Sequence, residues 1–430
     1  MKDSSNPITI NYFRHSEIKT IEEDKFGFED LISKFVNDLQ ATKPPYVIAV
    51  TGEWGVGKSS FLDCLKQGIK GGDNLEVIGR IELWKFSERM DLSLALVSAV
   101  IDHFGGLKSK IKNTGKKLLE TLDTLLSSTT IGIPGFLSFK PSGGKIYNIW
   151  KRAEKELHEE FEVLVSRCLN DKKKTKLVVL IDDLDRCLPD KALQFLENLR
   201  FFFNSERVIF VVALDEVVIA DAITARFGKD TEVDGYWYLE KLVDRWFRIP
   251  IPDDDKIKSF LIQKYTSLVE QEAPKEYKQM LDDMWSGSKL DIIRSSKNPR
   301  RVISTLQRMV EFALKFEEPE FRKYVFYDLP FFILKGVAPL LYQYGKQDGQ
   351  LIVDFAESTP MARDRLNFRY GEQLQSFYLK KDIQYICQQI RGCVTGDSLF
   401  QSEEIEIQQL LRTYDFEENP MTIYMVGRRR

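Results

Sequence analysis

Tyr46-Val-Ile-Ala-Val-Thr-Gly-Glu-Trp-Gly-Val-Gly-Lys-Ser-Ser60 decides the fold. Gly52 to Ser59 fits G-x-x-x-x-G-K-[ST], the Walker A phosphate-loop pattern. Val47 to Val50 is a short β-branched and apolar run, as a buried strand requires. Phe61-Leu-Asp-Cys-Leu-Lys66 follows with helical apolar spacing. Strand, glycine-rich turn and helix start therefore stand in the order that the motif needs.

Each residue type has a chemical reason. A polyphosphate needs many N–H donors and little side-chain bulk. Gly52, Gly55 and Gly57 let the backbone curl with its N–H groups turned inward. Glu53, Trp54 and Val56 complete the loop, and the positive end of the next helix faces the phosphates. Lys58 brings an ammonium to the β and γ phosphates. Ser59 offers a hydroxyl to Mg²⁺, a hard cation that prefers oxygen. Ser60 closes the binding segment, Gly52 to Ser60.

Further on, Leu177-Val-Val-Leu-Ile181 runs into Asp182-Asp183-Leu-Asp185-Arg186. A fully buried parallel strand has this composition, and open α/β sheets bind ligand at the carboxyl ends of such strands. An apolar run ending in Asp is the Walker B pattern. Asp182 is the expected Mg²⁺ ligand with Ser59, and Asp183 the expected group that polarises an attacking water. Arg207-Val-Ile-Phe-Val-Val-Ala-Leu-Asp215 is another buried strand ending in a carboxylate. Asp215 reads equally as a contact to the water or γ-phosphate side and as the cap of a helix over Glu216–Phe227.

The remaining elements follow in order. Residues 1–23 read as a polar arm. Apolar residues from Phe28 to Leu39 give a helix, and Leu75–Trp84 a second strand. Leu92–Phe104, Tyr147–Leu169 and Leu188–Asn204 give helices. Tyr238–Pro250 reads as a helix running into a last strand, Trp246–Ile251. Asn298-Pro299 carries a helix start signal. Residues 253–318 and 319–430 are expected to be helical. Residues 105–145, which differ in composition from their flanks, read as an insertion. Leu118–Leu126 within them is an amphipathic helix candidate, and the lysines from Lys108 to Lys117 lie beside a short apolar patch. That patch fits a lid or partner-binding hairpin, or an interfacial membrane contact.

Composition narrows the function classes. The net charge of −3 argues against a dedicated nucleic-acid binder. The five cysteines are scattered, and the three histidines lie in no metal or catalytic motif. A reduced, cytoplasmic compartment fits. No apolar stretch reaches the length of a membrane span, and no secretory signal is visible.

Taken together these residues resemble the KAP family of P-loop NTPases. The matching pieces are Asp24-Lys-Phe-Gly27 with its helix, Gly52 to Ser60 with Trp54 inside the loop, the strand that holds Trp84, and Ile181-Asp-Asp-Leu-Asp-Arg-Cys187. Val212-Ala-Leu-Asp215, Tyr238-Leu-Glu-Lys241, Phe247-Arg-Ile-Pro250 and Asn298-Pro-Arg-Arg301 complete the set. The resemblance implies an α/β fold: an ASCE-type parallel sheet flanked by helices, with a helical lid; the mostly α-helical C-terminal domain that follows is read from the sequence itself. The resemblance implies a core over 24–252 with the insertion at 105–145 and a lid over 253–318, whereas residues 319–430 lie beyond the resemblance and read from their own sequence as a C-terminal helical partner-binding domain. The resemblance also implies ATP as nucleotide and Mg²⁺ as cofactor, with Lys58, Asp183, Asp215 and Arg300 as catalytic candidates. Arg301, Arg245 and Arg248 are further candidates to reach a nucleotide, in cis or from a neighbouring copy in a homo-oligomer. Members of the family commonly carry transmembrane helices at the place of the insertion, and this insertion lacks a span. Bacterial members are often associated with phage exclusion or defence. The expected activity is a Mg-dependent ATPase acting as a conformational switch for partner proteins bound through 105–145 or 319–430. The alternatives are an ATP-gated scaffold without turnover, and a nucleic-acid-stimulated translocase using the basic insertion.

Overall fold

The computed structural model describes residues 18–69, 74–86, 91–104, 116–120, 144–201, 203–227, 234–250, 252–253, 255–257, 259–260, 298–313, 329–357, 359, 361–362, 381–393 and 403–414. The described residues fall into two compact units, 18–250 and 252–414. Most of the insertion lies outside the described residues, as does the helical expectation over 261–297.

The first unit is a parallel five-stranded sheet in the order β2-β3-β4-β1-β5. The strands are β1 (Tyr46–Thr51), β2 (Leu75–Glu82), β3 (Lys176–Asp182), β4 (Val208–Leu214) and β5 (Arg245–Arg248). The helices that accompany it include α1 (Phe28–Ala41), α2 (Lys58–Gly68), α3 (Leu92–His103), α4 (Gly144–Lys172), α5 (Pro189–Phe201), α6 (Glu216–Phe227) and α7 (Gly235–Leu242). Each central strand alternates its side chains between two apolar layers. Ile48, Val50, Val178, Leu180, Ile209 and Val211 face α1 and α2. Val47, Ala49, Leu177, Val179, Phe210 and Val212 face the layer of α3 to α7. Burial on both faces explains why β3 and β4 read as unbroken apolar runs rather than as alternating ones. β1 is flanked on both sides, pairing Ala49 with Val212 of β4 and with Trp246 of β5.

Several expected elements shift at their edges, among them the helices at Gly144–Lys172 and Pro189–Phe201. The second strand stops at Glu82, and Leu83–Lys85 forms a 3₁₀ turn. The last strand is Arg245–Arg248, and its helix begins earlier than Tyr238, at Gly235. There Asp234 accepts from the N–H groups of Tyr236 and Trp237. Gly235 is fixed by packing, because a Cβ there would stand 2.0 Å from the carbonyl oxygen of Ala220.

Residues 18–23 pack against α2 within the first unit. Ile18 N donates to Ser60 Oγ at 3.3 Å and Ile21 N to Gln67 Oε1 at 2.7 Å. The Asp24-Lys-Phe-Gly27 motif builds the start of α1. Asp24 accepts from Phe26 N at 2.8 Å and from Phe28 N. That fixes Phe28 edge-on to Phe61 of α2, ring centroids 5.9 Å apart. Within the insertion, residues 116–120 are helical and Leu118 is buried in the core.

The second unit is helical where it is described. Its helices include α8 (Pro299–Ala313), α9 (Leu329–Val337), α10 (Pro339–Gln347), α11 (Gln350–Glu357), α12 (Lys381–Cys393) and α13 (Glu403–Tyr414). Asn298 Oδ1 accepts from Arg300 N at 3.1 Å, so the cap expected from Asn298-Pro299 is formed. Buried Tyr342 donates to the carbonyl of Leu411 at 2.7 Å, tying α10 to α13. No helix of the described residues is long and apolar enough to cross a membrane.

Candidate functional site

The loop from Gly52 to Gly57 links the carboxyl end of β1 to α2. Gly52 has φ 152° and Gly57 has φ 105°, conformations that side chains rarely adopt. Space makes the same demand at Gly52, where a Cβ would come within 2.8 Å of Val56 Cγ1. Gly57 precedes the first helical residue, Lys58, and Ser59 follows in the first turn. N–H groups at that terminus have no partner within the helix and form a ready anion site.

Lys58 is buried and held by the loop itself. Its Nζ donates to the carbonyl oxygen of Gly52 at 2.6 Å and of Glu53 at 3.4 Å. It also lies 3.9 Å from Asp185 Oδ2. Burial raises the Asp185 pKa and the Lys58 charge opposes the rise. Asp185 is thus the counter-charge of the loop lysine. Sequence reasoning quoted it in a motif without giving it that role.

Asp182 ends β3 and is nearly fully buried. Its Oδ1 accepts from Asp183 N at 2.8 Å and its Oδ2 from Arg80 Nη1 at 3.0 Å. Arg80 is a residue that sequence reasoning missed. Between Ile78 and Ile81 the β2–β3 register slips, and such a bulge re-aims the side chains within it. Arg80 consequently reaches Asp182 and also pairs with Asp63 at 3.6 Å and Glu82 at 3.3 Å. The signal was Gly79, which interrupts an otherwise regular strand.

Asp183 adopts a left-handed backbone, φ 57°, a strained state for a residue with a Cβ. Burial, and after it the charge of Asp182, pushes its carboxyl up to about 6. Arg186 pairs with it, Nε to Oδ1 at 3.0 Å. The Arg186 guanidinium carbon lies 5.7 Å from the ring centroid of Trp54.

Other expected residues are placed as follows. Asp215 follows β4, whose last residue pairs with Thr51, so it lies at the phosphate-loop edge of the sheet. Its Oδ1 accepts from Val217 N at 3.1 Å, which makes it the cap of α6 as well. Ser60 Oγ is engaged by Ile18 N. Arg245 stands opposite Ile48, at the end of β5 away from the loop, and pairs with Asp38 at 2.7 Å. Arg248 stands opposite Thr51 at the loop end and pairs with Glu216 at 3.6 Å. Arg300 belongs to the second unit, on α8.

A nucleotide fits these residues: a glycine-built cradle, a buried lysine, and carboxylates at the carboxyl edge. Mg²⁺ fits too. Among the described residues no group of three or more Asp, Glu, His or Cys could hold a metal. A site of one carboxylate, Asp182, with the Ser59 hydroxyl suits a cation that takes most of its ligands from phosphate and water.

A parallel sheet of this order, with a glycine-rich loop after β1 and a carboxylate after β3, defines a P-loop NTPase fold that binds nucleotide. The chain belongs to the KAP family: the profile of the KAP family P-loop domain matches residues 28–313. Among curated proteins, the kinase D-interacting substrate of 220 kDa from Rattus norvegicus is 36% identical over 72 residues, 16% of this chain and 4% of the relative. The Homo sapiens protein of that name matches equally, with 36% identity over 72 residues. The chain thus spans 4% of the length of each of these relatives. Among solved structures, the Aeropyrum pernix ORC2 protein in its ADPNP and ADP complexes overlays with a TM-score of 0.39 at 11% identity. That overlay covers 94% of this chain and 98% of the other. The C. elegans PCH-2 structure overlays with a TM-score of 0.29 at 14% identity, covering 70% and 64%. Neither overlay is close enough to bear on what this chain does.

Proposed function

We propose that this chain is a Mg-dependent ATP hydrolase whose nucleotide state works as a switch within a multi-protein complex. The observation that carries this reading is that the Lys58 ammonium and the Asp182-Asp183-Asp185 carboxylates gather around one glycine-built loop. The N–H groups of the loop and of the first turn of α2 bind the phosphates. Lys58 exchanges its bonds to the carbonyls of Gly52 and Glu53 for the β and γ phosphates. Asp182 and Ser59 hold Mg²⁺, which when bound neutralises phosphate charge. Asp183 takes the proton of the attacking water, a role helped by its raised pKa. Asp215 orients that water, and Arg300 is the residue that the family resemblance offers for the γ-phosphate.

Partner proteins are assigned to 105–145 and 319–430, and a homo-oligomer would let Arg248 act on a neighbouring nucleotide. Bacterial anti-phage defence, in the cytoplasm, is the setting that the family resemblance supplies. The ion pairs on Asp182 and Asp183 favour one second reading, an ATP-gated scaffold that binds without turnover.

Calorimetry with Mg·ATP tests the binding step. Wild type is expected to bind, and Lys58→Ala to bind at least tenfold more weakly. Equal affinities would remove Lys58 from the site. Steady-state phosphate release from wild type, lost in Lys58→Ala, separates the hydrolase from the scaffold.

A further inference from the structure

Trp54 stands in the phosphate loop with 62% of its surface exposed, although burial of an indole is among the largest apolar gains a side chain offers. It meets Arg186, 5.7 Å from ring centroid to guanidinium carbon. That lies within the roughly 6 Å reach of a cation–π contact. The same guanidinium is paired with Asp183 at 3.0 Å. One arginine therefore meets both the loop that holds phosphate and the carboxylate assigned as base.

Both ends of this link are built into the backbone. The left-handed turn at Asp183 reverses the chain into the 3₁₀ turn Leu184–Arg186. Arg186 N then donates to the Asp183 carbonyl at 3.2 Å, which folds the arginine back over the aspartate. On the loop side, Lys58 ties down the carbonyls of Gly52 and Glu53, the two residues before Trp54. An ammonium has three donors. Phosphate oxygens that engage them take Lys58 from these carbonyls and free the backbone that carries Trp54.

We infer that Arg186 is a positioning residue that couples phosphate-loop occupancy to the Asp183 carboxylate, with Trp54 as the contact that nucleotide loosens. The inference rests on the nucleotide-site reading above. If nucleotide must loosen the Trp54–Arg186 contact, part of its binding energy goes into that rearrangement. Removing the guanidinium then tightens nucleotide binding, whereas loss of a merely structural arginine weakens it.

The test uses the full chain with 5-fluorotryptophan at its six tryptophans. The Trp54 ¹⁹F resonance is assigned by its loss in Trp54→Phe. Without nucleotide, the resonance in Arg186→Gln is expected to differ from wild type, with Arg186→Lys between the two. With saturating Mg·ATP the difference is expected to shrink to less than half. Calorimetry on the same samples is expected to show Arg186→Gln binding Mg·ATP about 2- to 5-fold more tightly than wild type, the factor that a weak exposed cation–π contact allows. If Gln fails to fold, the Lys variant carries the comparison with smaller changes of the same sign. Binding by wild type with an unchanged resonance difference, or with equal or weaker affinity in the variants, overturns the coupling alone. Absence of Mg·ATP binding by wild type overturns the nucleotide reading and the coupling with it.

Discussion

Arg80 donates from Nη1 to Oδ2 of Asp182 at 3.0 Å, with the aspartate nearly fully buried. A carboxylate this deep in the protein costs stability unless it is paired. Arg80 supplies that pairing from the bulged edge of β2. The same carboxylate is assigned to Mg²⁺, so the guanidinium and the cation act on one group.

Removing Arg80 leaves the buried Asp182 charge without its ion-pair partner, whereas Arg80 keeps Asp63 and Glu82 when Asp182 is changed. Arg80→Met is therefore expected to lower unfolding free energy in urea by about 3 kcal/mol. Arg80→Met with Asp182→Asn should cost less than the sum of the two single changes. Additive losses in this double-mutant cycle would show that the pair contributes no coupling.

Asp183 gives a pH signature in the metal-free chain. Its carboxyl lies at about 6 against an ordinary 3.8, so the folded state holds a proton that the unfolded state has released between those values. Stability from this group is full below 3.8 and falls as pH rises to about 6. In EDTA, Asp183→Asn should gain melting temperature relative to wild type across that window, with no further relative gain above it. A difference that does not change with pH would contradict the placement of this carboxylate.

The crossing of α6 and α7 depends on Gly235. A methyl group there meets backbone, the Ala220 carbonyl at 2.0 Å, which cannot rotate away. Gly235→Ala is expected to destabilise by about 2–3 kcal/mol in urea unfolding, the upper range for overpacking. Wild-type stability in this variant would show that the two helices separate easily.

The parts legible in the sequence were those with local causes. The strand, loop and helix around Lys58 follow from spacing, and β3 and β4 follow from apolar runs that end in Asp182 and Asp215. The cap at Asn298 was readable because its whole mechanism lies within three residues. Contacts set by strand register were not readable. Arg80 meets Asp182 only through the slip between Ile78 and Ile81. Arg245 was a candidate to reach nucleotide, but the parallel register places it opposite Ile48 and gives it to Asp38. The pairing of Lys58 with Asp185 joins two motifs far apart in the chain, and neither motif alone implies it.

In the proposed function the site hydrolyses ATP with Asp183 as base. Single-turnover hydrolysis of Mg·ATP by wild type and by Asp183→Asn, at enzyme concentrations that saturate binding in both, tests it most directly. The variant is expected to bind ATP, and its hydrolysis step to slow by roughly 100-fold or more, the size of a general-base contribution. Equal single-turnover rates in the two proteins would contradict it.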